Sequence, residues 1–218
     1  MYRIENSIVE QLNKYIDDKY STYSFPLNLI KTLNEKNTNA YEEVFGFNSS
    51  IFSNNVVSLA SNTFTNFDCL TSVYMPLCER IGTMAFKYCV NIVNVSIPKC
   101  NYIGESAFAN CIKLESICFD SFVSFSRYVF NGCTSLSKVT FMAGASIGNV
   151  FTACYALSEI YLLSNAMVTL AAGGLHQTAI GSSGYLGYFG SIYVLSSMLN
   201  MYKNNTNWSA YSDRFVGI

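Results

Sequence analysis

The sequence predicts a solenoid of stacked coils, each about 22 residues long and each giving one short strand to a parallel sheet. Three observations carry this: a phenylalanine recurring at a fixed interval, a strand-like apolar pattern locked to it, and a central section poor in charge. Phenylalanine stands at 64, 86, 108, 130 and 151, in steps of 22, 22, 22 and 21. Three residues later come Phe67, Cys89, Cys111, Cys133 and Cys154, and six later Leu70, Ile92, Leu114, Leu136 and Leu157. Val73, Val95, Ile117, Val139 and Ile160 follow, then Met75, Ile97, Phe119, Phe141 and Leu162. Fixed-period self-similarity of this kind outranks any reading of single elements.

The physics of a coil follows from its spacing. In L-x-x-V-x-I the last two apolar residues alternate with period two, which gives a strand with one buried face. A strand this short cannot bury its face alone. Stacking coils pairs each strand in parallel with the next, about 4.8 Å away, and closes a continuous core. Further along each coil, Ile81-Gly82, Ile103-Gly104 and Ile147-Gly148 recur, with Phe125-Ser126 in their place once and Leu59 opening the series. This pair reads as a second inward residue followed by a bend where glycine allows unusual dihedrals. The A-F-x-x-C segment has i, i+3 spacing and predicts one short helical turn on the far side.

The repeat is similar to the BspA-like leucine-rich repeats of bacterial surface proteins, with cysteine where asparagine is more usual and an Ile-Gly-x-x-Ala-Phe ending. The tail resembles the segment that often closes such arrays in gut bacteria and their phages: Tyr161-Leu162-Leu163-Ser164-Asn165, Ile192-Tyr193-Val194, Tyr202-Lys203 and Asn207-Trp208-Ser209. Leu195 stands where family members commonly have proline. The implied fold is a leucine-rich-repeat solenoid with one short parallel strand per coil, short helical turns, an α-helical N-terminal cap and a strand–helix C-terminal cap. The resemblance covers roughly residues 55 to 218.

Composition sets the boundaries. The chain is 218 residues long, 50% hydrophobic and 12% charged, about half the usual charged fraction of roughly 25%. Twelve charged residues lie within the first 43 positions, and only twelve more in the next 147. Three sections follow: 1–45, a helical N-terminal cap or docking segment; 46–163, the repeats; and 164–218, a glycine-rich loop with a capping segment. In the first, Ile4, Ile8, Leu12, Tyr15 and Ile16 fall on one helical face. Pro26 could open a second helix, and Ala40 to Phe45 could form a third. These helices cap the first coil or, as the alternative, dock or homo-oligomerise. At the other end, Gly190 to Val194 is expected to be the last strand and Met198 to Tyr202 a short helix. Trp208, Tyr211 and Phe215 would plug the final coil.

A net charge of −1 gives no long-range attraction for nucleic acid or an anionic bilayer. No stretch approaches the roughly 18 apolar residues of a membrane span, and the start lacks the apolar core of a signal peptide. Cell-surface or extracellular placement is what the family resemblance implies.

The chemistry sought is catalytic, metallic or redox. Cys78, Cys89, Cys100 and Cys111 lie 11 apart, which invites a disulfide or metal framework. Folded onto the repeat they divide into two ladders, Cys78 and Cys100 in one, Cys89, Cys111, Cys133 and Cys154 in the other. With no C-x-x-C and one histidine, a tetrahedral metal site is disfavoured, and small buried thiols are the preferred account. Cys118 should face outward and be the most reactive thiol. His176, beside Ser182 and Ser183, lacks a neighbouring acid to orient it, so no catalytic relay, enzyme activity or cofactor is assigned. The candidate site is instead the outward strand face. One column holds Ser72, Asn94, Ser116, Lys138 and Glu159, and its neighbour Tyr74, Ser96, Cys118, Thr140 and Tyr161. Such small, hydroxyl-rich positions suit sheet packing as well as a polar partner. The expected function is non-catalytic binding or adhesion to a protein or glycan; the alternative is a structural or host-recognition component of a phage particle.

Overall fold

A computed structural model describes residues 50–52, 54, 56–68, 70–172, 174–181 and 190–218. The predicted N-terminal helices lie outside the described residues. In chain order the strands are β1 (Ser50–Phe52), β2 (Ser58–Leu59), β3 (Ser72–Tyr74), β4 (Arg80–Ile81), β5 (Asn94–Ser96), β6 (Tyr102–Ile103) and β7 (Ser116–Phe119). They continue with β8 (Val123–Phe125), β9 (Lys138–Phe141), β10 (Ala145–Ile147), β11 (Glu159–Leu162), β12 (Thr169–Leu170), β13 (Ser191–Val194) and β14 (Phe215–Gly217). Among the described residues every pairing is parallel, and from β7 to β11 it follows the predicted register, Ser116↔Lys138↔Glu159 and Cys118↔Thr140↔Tyr161. Odd-numbered strands and β14 build one face, as β1-β3-β5 and β7-β9-β11-β13-β14. The even-numbered strands form an unbroken six-stranded sheet behind it.

The far side of each coil corrects the expectation of a helical turn. Ala85 N donates to Gly82 O at 3.3 Å and Cys89 N to Phe86 O at 3.1 Å, so the segment is a run of β-turns. The third residue of each turn has positive φ, Met84 at 57° and Tyr88 at 62°, as type II turns require. The same two columns hold Asn62, Ser106 and Tyr128, and Asn66, Asn110, Gly132 and Ala153. A helix would use its carbonyls internally. Here the alternating amides of Met84, Phe86 and Tyr88 reach the next coil, at Glu105 O, Ala107 O and Ala109 O, over 2.7 to 2.8 Å. The turn side is therefore hydrogen-bonded from coil to coil like the strands.

Inside, the repeat columns become ladders. The rings of Phe64, Phe86, Phe108, Phe130 and Phe151 stack in sequence with centroids 5.0 to 5.6 Å apart. Each ladder cysteine donates its thiol to the phenylalanine carbonyl of the coil before: Cys89 to Phe64 at 3.0 Å, Cys111 to Phe86, Cys133 to Phe108 and Cys154 to Phe130. The Phe64 carbonyl also accepts the Phe67 amide of its own turn, so both lone pairs are used. Cysteine thus fills the column because it is small, apolar and still a donor. None of the seven described cysteines forms a disulfide, and burial pushes the thiols of Cys100 and Cys133 up to about 12.

The C-terminal cap has the expected strand and helix, α1 (Leu199–Asn204), with 3-10 helices at Ser196–Met198 and Ser209–Arg214, but the array does not end at β13. Strand β14 pairs with it in parallel through Ile192↔Phe215 and Val194↔Gly217. Tyr202, Trp208, Tyr211 and Phe215 are buried over the last coil. The polar tips of two of them are satisfied by the backbone of one residue: Val168 N donates to Tyr202 Oη at 2.9 Å, and Trp208 Nε1 donates to Val168 O at 2.8 Å. Leu195 has φ −56° and ψ 135°, close to the φ of about −65° that proline would impose, so the bend is kept without it.

Candidate binding face

Alternation along each odd-numbered strand decides what this face presents. Val73, Ile117, Val139 and Ile160 point into the core, and the residues on either side of them turn outward. Ser72, Tyr74, Asn94, Ser96, Ser116, Cys118, Lys138 and Thr140 thereby come together around one shallow concavity of about 570 Å³. Every one of these was singled out from spacing. Lys138 is the sole charged side chain lining it, and the rest are hydroxyls, an amide, a thiol and the Tyr74 ring.

Glu159 and Tyr161 stand beside the concavity rather than in it. Lys138 Nζ lies 4.4 Å from the centre of the Tyr161 ring, and Tyr161 Oη donates to Glu159 Oε2 at 3.3 Å. The column was expected to end at Tyr161. It continues to Tyr193, which stacks on Tyr161 with centroids 4.4 Å apart, and then to Val216. Tyr193 was missed because the coil between β11 and β13 is longer than 22 residues and carries the column out of period. The alternation in Ile192-Tyr193-Val194 was the available signal.

The floor of the concavity has a seam. β5 and β7 belong to different sheets, and Val95 is only partly buried where Val73 and Val139 are fully so. At this step Ile97 and Ile103 of one coil give way to Phe119 and Phe125 in the next. Those two rings meet edge to face at 5.1 Å.

Cys118 does face outward, but its thiol donates to Asp120 Oδ1 at 3.4 Å, and desolvation together with that carboxylate pushes it up to about 11. The other six described cysteines are buried, and at neutral pH Cys118 is a thiol rather than a thiolate. His176 is exposed on the turn side, away from this face; Ser182 and Ser183 lie outside the described residues. Among the described residues, no group of His, Cys, Asp or Glu side chains is placed to hold a metal ion. Nor is any helix among them long and apolar enough to cross a membrane.

Comparison with known proteins agrees with the leucine-rich-repeat reading of the sequence. The family model for the BspA type leucine-rich repeat region matches residues 9–98 and 57–170, in six copies. No curated protein matches the sequence. Among solved structures, a leucine-rich repeat protein of T. pallidum aligns at 22% identity and a TM-score of 0.46, over 65% of this chain and 83% of its own. A leucine-rich cell surface protein of Faecalibacterium prausnitzii A2-165 aligns at 25% identity and a TM-score of 0.42. That alignment covers 57% of this chain and 32% of the other. Proteins of this repeat class generally serve as binding and surface modules. With the family model covering well over half of the sequence, the chain belongs to the BspA type leucine-rich repeat family.

Proposed function

We propose that the outward face of β3, β5, β7 and β9 is a docking surface for a polar macromolecular partner, a protein or a glycan. The observation that carries this is the convergence of Ser72, Tyr74, Asn94, Ser96, Ser116, Cys118, Lys138 and Thr140 on one concavity. Small hydroxyl and amide groups on a paired strand scaffold offer hydrogen bonds at fixed positions and lose little side-chain entropy on binding. Tyr74, 41% exposed at one rim, supplies the aromatic anchor that such surfaces concentrate their affinity on. Tyr161, held by Lys138 and Tyr193, forms a rigid wall at the other side.

The test is affinity selection on the full chain and on glycan arrays, with every hit titrated against Tyr74→Ala and Asn94→Trp. Asn94 is exposed on its strand, so tryptophan there fills the concavity and leaves the core untouched. The expected result is a loss of at least about tenfold in affinity for both variants. A partner whose affinity neither variant changes would show that the strand face is not the docking surface.

A further inference from the structure

The turn side holds a second recess, produced by a break in the repeat itself. From Ile81 to Phe86, Ile103 to Phe108 and Phe125 to Phe130 the chain advances five positions, but from Ile147 to Phe151 only four. The turn after β10 is therefore one residue short. Its effect is visible at the corner glycines. A Cβ at Gly82 or Gly104 would strike the backbone of the preceding coil at 2.4 and 2.5 Å, whereas one at Gly148 would meet nothing within 4 Å. The shortened turn leaves an open recess of about 700 Å³, lined by Tyr128, Asn149, Thr152, Ala172, His176 and Gln177.

Three coils supply its lining. Tyr128 comes from the turn before the deletion, Asn149 and Thr152 from the shortened turn, and His176 and Gln177 from the segment after β12. Tyr128 and Gln177 are both held at positive φ, 60° and 61°, in the turn columns that recur through the array. Their side chains are thus aimed by the repeat rather than by a mobile loop. Tyr128, Asn149, His176 and Gln177 are exposed and Thr152 half-buried. Among the described residues none of these five side chains spends its hydrogen-bonding groups on the protein, unlike Thr178 close by, whose Oγ1 donates to Leu175 O at 2.7 Å.

We propose that this recess binds a neutral sugar residue, as a site separate from the strand face. Asn149 and Gln177 each present a donor and an acceptor in one plane, the arrangement that grips vicinal hydroxyls in pairs. Thr152 and His176 add two further polar positions, and the Tyr128 ring, 39% exposed, offers an apolar surface to sugar C–H groups. No carboxylate, ammonium or guanidinium lines the recess, so a charged ligand would find no counter-charge. Its volume lies within the range of roughly 300–1,000 Å³ usual for small-molecule sites.

Saturation-transfer NMR on the full chain with D-glucose, D-galactose, D-mannose and N-acetyl-D-glucosamine tests this. At least one of the four is expected to give saturable transfer. The combined variant Asn149→Ala with Gln177→Gly should weaken it at least tenfold, glycine being chosen because it accepts the backbone conformation of position 177. His176→Ala, exposed and remote from the core, serves as a second variant should the combined one lose thermal stability, and should also weaken binding. Tyr74→Ala on the strand face should leave the transfer unchanged. No transfer from any of the four sugars, or transfer that survives in the folded recess variants, would overturn the assignment. Transfer lost with Tyr74→Ala would overturn it too, by placing the sugar on the strand face.

Discussion

At single residues the array is governed by two columns of left-handed backbone and one column of thiols. The left-handed positions carry Met84, Tyr88, Tyr128 and Ala153, although an L side chain there costs about 1–2 kcal/mol relative to glycine. Among the described residues of these columns, Gly132 is the one glycine, and Asn62, Asn66 and Asn110 carry the next most tolerant side chain. Ala153, at φ 57°, has little side chain to lose. Ala153→Gly is accordingly expected to raise stability by about 1 kcal/mol in a denaturant titration, where alanine-to-glycine changes elsewhere lower it. The sequence did not disclose these columns, because asparagine and glycine, the usual markers of positive φ, occupy them only in some coils. The cysteine ladder was legible as a buried column from its period. Its hydrogen bond to the preceding coil was not, since spacing along the chain carries no information on which carbonyl lies above which thiol.

For the elements of a coil, period determined what could be foreseen. The strands and their register followed directly, because a two-residue alternation tied to a 22-residue repeat admits one in-phase stacking. The turn segment was mistaken for a helical turn because i, i+3 spacing is common to a helical turn and to successive β-turns. What separates them is the destination of the backbone hydrogen bonds, here the neighbouring coil. Strand β14 escaped notice because it follows a capping segment rather than another repeat. The phenylalanine ladder binds coil to coil, with Phe108 stacked between Phe86 at 5.0 Å and Phe130 at 5.5 Å. Phe108→Ala should cost about 3–5 kcal/mol through lost burial and the cavity left between two rings. Chemical denaturation measures it, and a cost below about 1 kcal/mol would mean that the ladder is not a principal source of stability.

Over the whole molecule, one core runs from Val56 to Phe215 and collects thiols that must stay neutral. Burial raises Cys78 from the ordinary value of 9.0 to about 11, and Cys100 and Cys133 to about 12. As pH rises past 9, the unfolded chain releases these protons while the folded chain keeps them. The stability these thiols contribute is therefore complete below pH 9 and is lost between about 9 and 12. The slope is about 1.4 kcal/mol per pH unit for each thiol. Melting temperature should fall steeply in this window, and Cys100→Ala should make the fall shallower by one thiol's share. An unchanged alkaline slope would show that this thiol does not stay protonated in the fold. The columns of the outward face could be placed from sequence because they repeat with the core positions between them. The seam between β5 and β7 could not, because it depends on how four core side chains, Ile97, Ile103, Phe119 and Phe125, fill one cross-section.

That seam also gives the most direct test of the central claim, that this face is where a partner docks. Hydrogen–deuterium exchange would be followed on the full chain, free and saturated with a partner captured by affinity selection. Bound partner should slow exchange at Asn94–Ser96 and Ser116–Phe119, with the turn segments 84–90 and 106–112 unchanged. Slowed exchange confined to those turn segments, with both strands unaffected, would contradict it.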